Sequence, residues 1–264
     1  MWTTTQTTST SSADEAQFEN RAEPRRQPVS SLRQPPERAY RWIVFDADGT
    51  LFDFQAAERL ALRQTLGFFH IDLTPEVHAA YRNISDALWA AFERGELSSQ
   101  TLRVRRFEML RDEFAFEPDP TEVSERYIHD LGGHNPLLPG AKQVIRNLAG
   151  RFELIIATNG IAEIQRQRFG RSEIRPYFRD VVISDEIGVA KPDPAYFDVV
   201  FERMGRPKRS EVLMVGDGLS SDIAGGEGYG LDTCWVNAAG ILDGSDPQPT
   251  YVIRNLTELL TEVL

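Results

Sequence analysis

Short apolar runs recur along the chain from residue 42 onward, and they constrain the fold more than any other feature of the sequence. Six such runs, rich in β-branched residues, span residues 42–45, 154–157, 181–183, 212–215, 233–236 and 251–253. Runs without polar–apolar alternation are typical of strands buried on both faces, as in a parallel sheet. Helical patterns separate the later runs, for example at 194–204 and 221–229. The alternation predicts an α/β fold with a doubly wound, Rossmann-like parallel sheet.

Residues 54–135 break this alternation, because they contain four amphipathic helical stretches and no strand pattern. A long insertion directly after the first strand is typical of a lid over an active site. We therefore predict an all-helical cap domain at 54–135, inserted into a core made of 40–53 and 136–264. Residues 1–39 are rich in Thr, Ser, Pro and Arg, and their low apolar content predicts a disordered tail.

The overall charge and the cysteine content exclude several classes of protein. A net charge of −11 repels polyanions, so we expect no nucleic-acid polymer and no membrane surface as a partner. No apolar run approaches the ~18 residues that span a bilayer, and the amino-terminal segment lacks the apolar core of a secretory signal. The single cysteine, Cys234, rules out an internal disulfide and a multi-cysteine zinc site. We expect a cytoplasmic protein, either a monomer or a homodimer.

Two carboxylates follow the first apolar run at a spacing that suits covalent phosphoryl transfer. Asp46 is placed to attack phosphorus, while Asp48 is placed to protonate the leaving oxygen and then to activate water. Gly49 and Thr50 suit a tight turn whose backbone amides approach a phosphate. The alternative is an ordinary acidic turn at the end of a strand, since Asp and Gly are common turn formers.

Later strand ends carry further candidates for phosphate binding. Thr158 and Asn159 follow the second run and precede a helix, where a hydroxyl and a helix start form a phosphate cradle. A plain helix cap is the alternative for Thr158. Lys191 precedes a Pro-Asp-Pro sequence that opens a helix, and it is one of only three lysines among 29 basic residues. This rarity indicates a need for a compact point charge, with an exposed surface lysine as the alternative.

Asp217 and Asp222 bracket the loop after the fourth run, and both can turn toward Asp46. Clustered carboxylates repel one another unless a hard cation joins them, and Mg²⁺ prefers oxygen ligands. The sequence therefore predicts a magnesium site. Because four separate strand ends all supply residue types suited to phosphate chemistry, one shared site is favoured over four unrelated turns.

The residues at the four strand ends described above resemble, in the same order, the four motifs of the haloacid dehalogenase superfamily, and the resemblance covers residues 41 to about 240. The resemblance implies Asp46 as the nucleophile and Asp48 as the general acid and base. It also implies two sets of ligands: Thr158 and Lys191 for the phosphate, and Asp46, Asp217 and the Asp48 backbone carbonyl for Mg²⁺. Asp222 is implied either as a direct magnesium ligand or as a group that orients metal-bound water. The helical insertion resembles the cap that this family carries after its first motif.

Further features favour a phosphatase branch of the superfamily. Dehalogenating members lack the acid that Asp48 provides, and phosphonate-cleaving members need a cap lysine that 54–135 does not contain. The stretches 88–95, 183–188 and 231–237 are similar to bacterial pyrimidine 5′-nucleotidases that act on noncanonical nucleotides. This resemblance implies a magnesium-dependent 5′-nucleotidase that acts on nucleoside monophosphates and favours pyrimidines.

Some features depart from that branch or leave alternatives open. Gly218 stands where the branch usually has a small hydroxyl residue, and Ser85 stands where its cap often has Asn. Trp89, Phe92 and Phe107 could stack on a base, although rings at helical spacing more often form the core of a cap. The functional alternatives are a phosphatase for another small ester, such as a sugar phosphate, and a catalytically silent binding protein of the same fold.

Overall fold

The computed structural model describes residues 40–240 and 247–264, so the disorder predicted for residues 1–39 lies outside the described residues. One sheet contains six strands: β1 (Trp42–Phe45), β2 (Glu153–Thr158), β3 (Asp180–Ile183), β4 (Val212–Gly216), β5 (Asp232–Val236) and β6 (Tyr251–Ile253). All neighbouring strands are parallel, and their order is β3-β2-β1-β4-β5-β6. Every apolar run that was predicted as a strand is a strand, which confirms the doubly wound α/β fold.

The helices flank this sheet or fill the insertion. Their bounds are α1 (Phe54–Phe68), α2 (Pro75–Glu93), α3 (Ser99–Phe114), α4 (Pro120–Gly132), α5 (Ala141–Leu148), α6 (Ala162–Gly170), α7 (Ser184–Ile187), α8 (Pro194–Arg203) and α9 (Ala224–Gly228). Helices α1–α4 occupy the segment predicted to be all-helical, and the domain boundaries drawn around it stay a prediction. No helix in the described ranges is long and apolar enough to cross a membrane.

Each helix of the insertion begins where the sequence supplies a side-chain acceptor. Asp53, Thr74 and Ser98 accept hydrogen bonds from first-turn amides of α1, α2 and α3 at 3.0, 3.3 and 3.1 Å. Asp119 does the same for α4 at 2.8 Å. Such caps contribute about 1 kcal/mol each, because they satisfy amides that have no partner within the helix.

Strand β1 lies in the middle of the sheet and is buried on both faces. Ile43 and Phe45 pack into one apolar cluster, which includes residues of α5, and Trp42 and Val44 pack into another, which includes residues of α8. Alternate side chains of a strand point to opposite faces, so both faces of β1 are covered. The chain can therefore present polar groups to a ligand only beyond the carboxyl end of β1.

Helices α1–α4 form an apolar cluster of their own that extends onto the sheet-bearing part of the chain. Phe107 and Tyr127 lie in this cluster together with Ile164 of α6. An ion pair between Arg103 of α3 and Asp185 of α7, at 3.2 Å, adds a polar contact between the same two parts. The insertion is thus packed directly beside α6, the helix that follows β2.

Candidate active site

The carboxyl ends of three neighbouring strands, β2, β1 and β4, meet in the middle of the sheet. Asp46 follows β1 and continues its pairing, because its amide donates to the carbonyl of Val215 at 2.9 Å. Thr158 is the last residue of β2, and Asp217 directly follows β4. The structure therefore brings Asp46 together with two residues that lie more than 100 positions from it in the sequence.

Lys191 is the central cation of this site, and its side chain is 1% exposed. Its Nζ donates to Asp46 Oδ1 at 2.7 Å, to Asp222 Oδ1 at 2.6 Å and to the carbonyl of Ala157 at 2.7 Å. Burial alone lowers the pKa of Lys191, but the carboxylates of Asp222 and Asp46 outweigh burial and raise it. The ammonium therefore stays charged, and the alternative of an exposed surface lysine is excluded.

The Asn159 side chain holds the backbone of Lys191 from both sides. Its Oδ1 accepts from the Lys191 amide at 2.9 Å, and its Nδ2 donates to the Lys191 carbonyl at 2.9 Å. Asn159 was predicted to bind phosphate, and that role stays a prediction. In this structure its amide group fixes the position of the lysine.

Three carboxylates converge beside Lys191 and form a possible metal site. Oxygens of Asp46, Asp217 and Asp222 all lie within 4.8 Å of one another. Loss of hydration raises the pKa of Asp46 despite the lysine, and partial desolvation with the charge of Asp222 raises the pKa of Asp217 to about 6. Asp46 and Asp222 are buried and Asp217 is exposed, and this all-oxygen set of mutually repelling carboxylates fits a hard divalent cation such as Mg²⁺.

The turn after β1 is shaped around Asp217. Thr50 Oγ1 donates to Asp217 Oδ1 at 3.1 Å, and Trp235 Nε1 donates to the Asp217 carbonyl at 3.0 Å. Gly49 has φ +83°, and a Cβ at this position would overlap the Asp217 carboxylate. The Gly49 amide donates to the carbonyl of Phe52 at 3.0 Å. The phosphate contacts predicted for Gly49 and Thr50 stay predictions. Glycine is required here by both backbone conformation and space.

Both carboxylate oxygens of Asp222 are already engaged. Oδ1 accepts from Lys191, and Oδ2 accepts from the amide of Gly218 at 2.9 Å. Each of these oxygens keeps a second lone pair, so both roles that the sequence left open for Asp222 stay predictions. A Cβ at Gly218 would meet Ser221 Oγ and the Asp222 carboxylate, so a hydroxyl residue there requires Ser221 to move.

Asp48 is held by two residues of α6 that sequence reasoning missed. Gln165 Nε2 donates to Asp48 Oδ2 at 2.7 Å, and Arg168 Nη1 lies 2.7 Å from Asp48 Oδ1. Gln165 also donates to Thr158 Oγ1 at 3.1 Å, which leaves the hydroxyl proton of Thr158 free to donate to a ligand. Gln165 and Arg168 lie three positions apart and share one face of α6, but the polar residues of this helix are spread around its axis, so the sequence carried no clear signal for them.

Arg168 also contacts the two chain segments that lead into and out of the insertion. Its Nε donates to the carbonyl of His134 at 3.0 Å, and its guanidinium lies 5.3 and 5.5 Å from the ring centroids of Phe52 and Phe54. The position of Asp48 is thereby tied to the segments that carry the insertion.

A cleft of ≈ 530 Å³ opens between the insertion and the strand ends. Asp48, Gly49 and Asp217 line it from the sheet side, and Ser85 and Trp89 line it from α2. The Ser85 hydroxyl is buried and has no hydrogen-bond partner within residues 40–240 and 247–264. A substrate in this cleft would touch both the strand ends and the insertion.

The three aromatic candidates of the insertion occupy different environments. Trp89 is half-buried and lines the cleft, and the Phe92 ring packs edge-on against it at 5.5 Å. Phe107 is only 3% exposed, and its ring lies 5.8 and 5.3 Å from the rings of Tyr81 and Tyr127. Phe107 therefore belongs to the core of the insertion, as the packing alternative predicted, whereas Trp89 is available to a ligand.

Known proteins share this arrangement of sheet and insertion. A family model described as haloacid dehalogenase-like hydrolase matches residues 40–230. A crystal structure of the HAD-hydrolase YfnB from Bacillus subtilis, described as bound to magnesium, superposes with a TM-score of 0.80 at 39% sequence identity. The superposition covers 85% of this chain and 98% of that one.

Two relatives have named activities. The pyrimidine 5′-nucleotidase YjjG of Escherichia coli (strain K12) is 37% identical over 218 residues, which cover 83% of this chain and 95% of YjjG. The pyrimidine 5′-nucleotidase PynA of Streptococcus pneumoniae (strain ATCC BAA-255 / R6) is 34% identical over 222 residues, which cover 84% of this chain and 94% of PynA. Both relatives match the present chain over nearly their whole length.

Proposed function

This chain belongs to the haloacid dehalogenase-like hydrolase family, and from that premise we propose that it is a magnesium-dependent 5′-nucleotidase that favours pyrimidine nucleoside monophosphates. In this proposal Asp46 carries the phosphoryl group in a covalent aspartyl-phosphate. The substrate is a small phosphorylated molecule rather than a nucleic-acid polymer, in keeping with the net charge of −11.

One observation carries the proposal: a buried lysine bridges Asp46 and Asp222 at the carboxyl ends of the central strands, with Asp48 two residues from Asp46. Burying the carboxylates of Asp46 and Asp222 together with a lysine is costly, and such a cluster is typical of a site that a ligand uses. A phosphoryl group needs a nucleophile, a cation to neutralise its oxygens and an acid for the leaving group. Asp46, Lys191 and Asp48 supply these three functions.

The first step forms one bond and breaks another. A carboxylate oxygen of Asp46 attacks phosphorus, the bond from phosphorus to the ester oxygen breaks, and Asp48 gives its proton to that oxygen as the alcohol leaves. Lys191 and the hydroxyl of Thr158 hold the phosphoryl oxygens. Gln165 and Arg168 position the Asp48 carboxyl beside them.

The second step regenerates the site. Asp48, now a carboxylate, takes a proton from water, and the oxygen of that water attacks phosphorus and releases inorganic phosphate and free Asp46. The carboxylates of Asp46 and Asp217 and the backbone carbonyl of Asp48 would hold Mg²⁺, which would supply positive charge that offsets the phosphoryl oxygens. Closure of the insertion over the cleft excludes bulk water until the first step is complete.

The substrate preference is supported by the relatives named above, YjjG and PynA, both pyrimidine 5′-nucleotidases. It is tested with a panel of uridine, cytidine and adenosine 5′-monophosphates, ribose 5-phosphate and p-nitrophenyl phosphate, each assayed with Mg²⁺. The proposal predicts the highest kcat/KM for the pyrimidine nucleotides. A higher value for ribose 5-phosphate would make the protein a sugar phosphatase, and no turnover of any ester would make it a silent binding protein.

A further inference from the structure

A small cavity lies where the insertion meets α6, beside Asp48. Its volume is ≈ 110 Å³, and its walls include Phe54, Trp89 and Arg106 from the insertion and Ile164 and Arg168 from α6. An apolar cavity of about 150 Å³ accepts one benzene ring. The present cavity is therefore on the scale of a single six-membered ring and is small for a fused bicyclic ring.

The cavity adjoins the active-site cleft, since Asp48, Phe54 and Trp89 line both spaces. Asp48 is the group proposed to protonate the leaving oxygen. The part of the substrate that lies beyond that oxygen must therefore pass close to Asp48. The cavity is placed to receive the far end of the leaving group.

Arg106 of α3 is 2% exposed, yet part of its guanidinium has no partner. Its Nε donates to the carbonyl of Leu102 at 3.2 Å, and its Nη1 donates to the Tyr81 hydroxyl at 3.2 Å. Its Nη2 is buried without a hydrogen-bond partner in the part of the chain that the structure describes. A buried donor left unsatisfied is costly, so its retention indicates a ligand that completes it.

The charge of Arg106 is offset without a direct ion pair to a described carboxylate, and its guanidinium lies 5.7 Å from the ring centroid of Tyr127. Glu58 is buried nearby and interacts electrostatically with Arg106, but its carboxylate is bonded to Arg82 at 2.9 Å. No carboxylate of the described residues forms an ion pair with Arg106 within 4.0 Å. A guanidinium donates hydrogen bonds and accepts none, so the missing partner is an acceptor atom.

Arg168 adds a second donor to the same cavity. Its Nη2 is also buried and has no hydrogen-bond partner within the described ranges. Its Nη1, by contrast, lies 2.7 Å from Asp48 Oδ1. The cavity is thus lined by apolar residues, by the aromatic side chains of Phe54 and Trp89 and by two arginines that each keep one unsatisfied nitrogen, and this lining suits a planar ring that carries carbonyl oxygens.

We infer that this cavity binds the base of the nucleotide and that Arg106 is a specificity-determining residue, which donates from Nη2 to a carbonyl oxygen of a pyrimidine ring. The inference rests on the proposed nucleotidase function and deepens it. Uracil, thymine and cytosine each carry a ring carbonyl that accepts such a bond. Adenine has ring nitrogens but no carbonyl as acceptors, and as a bicyclic ring it is disfavoured by its size.

The test compares Arg106→Met with Arg105→Met. Both substitutions remove a guanidinium from α3, but Arg105 is exposed and pairs with Glu108 at 2.9 Å. Uridine 5′-monophosphate and ribose 5-phosphate serve as substrates, since they differ by the presence of the base. Arg106→Met is expected to lower kcat/KM for the nucleotide by roughly 10- to 150-fold, which is the range for a hydrogen bond to a charged group. The same variant should keep kcat/KM for ribose 5-phosphate within about threefold of the wild-type value. Arg105→Met changes neither substrate.

A purely structural role for Arg106 predicts a different result, in which both substrates lose activity by the same factor. That result, or an unchanged kcat/KM of Arg106→Met for uridine 5′-monophosphate, overturns the inference while the phosphatase function stands. If the wild-type protein hydrolyses no phosphate ester, the proposed function itself fails. The two failures are therefore distinguishable.

Two further measurements cover the case in which Arg106→Met does not fold. Arg106→Lys keeps the charge but loses the fork of donors, and it should lower the nucleotide rate selectively, by less than Arg106→Met. In the wild-type protein the base itself should raise kcat/KM by about tenfold or more over ribose 5-phosphate. Equal values for the two wild-type substrates contradict the inference without any variant.

Discussion

Lys191 and Arg106 are similarly buried cations, but they differ in their hydrogen-bond partners. Lys191, at the strand ends, is bonded to two carboxylates and a carbonyl. Arg106, in the helical insertion, is bonded only to a carbonyl and a hydroxyl within the described residues, and one of its nitrogens is unsatisfied. The strand-end groups are therefore organised before substrate binds, whereas the insertion keeps one donor that no described residue satisfies.

The largest effect is expected at the strand ends, from Asp46→Asn. An amide cannot act as the nucleophile, so turnover should fall on the order of 10⁴-fold or more for every substrate alike. Rates are measured with p-nitrophenyl phosphate and uridine 5′-monophosphate, and circular dichroism checks the fold. Retention of more than about a hundredth of the wild-type rate would remove Asp46 from the role of nucleophile.

Removing the paired cation should cost stability as well as activity. Lys191→Met leaves the carboxylates of Asp46 and Asp222 buried without their partner, and breaking a buried pair in this way costs about 3–5 kcal/mol. The free energy of unfolding is measured by urea denaturation without added metal. Lys142→Met is the matched control: Lys142 is half exposed in its pair with Glu173, and its loss should cost less than about 1 kcal/mol. An equal decrease in the free energy of unfolding of the two variants would show that the buried pairs of Lys191 do not stabilise the fold.

Mg²⁺ should stabilise the strand-end site and be required for turnover. At about 100 times its dissociation constant it adds about 2.7 kcal/mol to the free energy of unfolding, because it binds only the folded state. Asp217→Asn should abolish this gain, and Asp72→Asn, at an exposed carboxylate of the insertion, should preserve it. Full activity after exhaustive chelation would reject a metal site at Asp46 and Asp217.

The smallest effect is expected on the insertion side and concerns the choice of substrate. Trp89→Ala removes an aromatic side chain that lines both the cleft and the cavity. Because base stacking is worth about 1–3 kcal/mol, kcat/KM for uridine 5′-monophosphate should fall roughly tenfold or more relative to p-nitrophenyl phosphate. Phe107→Ala is the control, because this buried ring should cost about 3–5 kcal/mol of stability without changing the substrate ratio. An unchanged ratio in Trp89→Ala would place base recognition elsewhere.

The sheet was predictable because its strands are buried on both faces. The six apolar runs contain few polar residues, so each run could be assigned to a strand without knowledge of its neighbours. The positions of Asp46, Thr158 and Asp217 at strand ends followed from the same pattern. The order of the strands did not follow, since periodicity carries no information about which runs pair.

The residues that support Asp48 and line the cavity were not predictable in the same way. Gln165, Arg168 and Arg106 lie on helices whose polar residues are spread around the axis, so the sequence does not show which side chain turns inward. Their burial depends on how the insertion packs against α6, which is a tertiary contact. The roles of Gly49 and Thr50 were likewise read from the turn alone, and their contacts with Asp217 became visible only in three dimensions.

The central claim, covalent catalysis by Asp46, is tested most directly by trapping the intermediate. Asp48→Asn should still transfer the phosphoryl group from p-nitrophenyl phosphate, because nitrophenolate leaves without a proton, but it cannot activate water for the second step. Acid-quenched protein examined by peptide mass spectrometry should then carry one phosphoryl group on the peptide that contains Asp46. A burst of nitrophenolate without a phosphorylated chain, or with the phosphoryl group on another residue, would contradict the account.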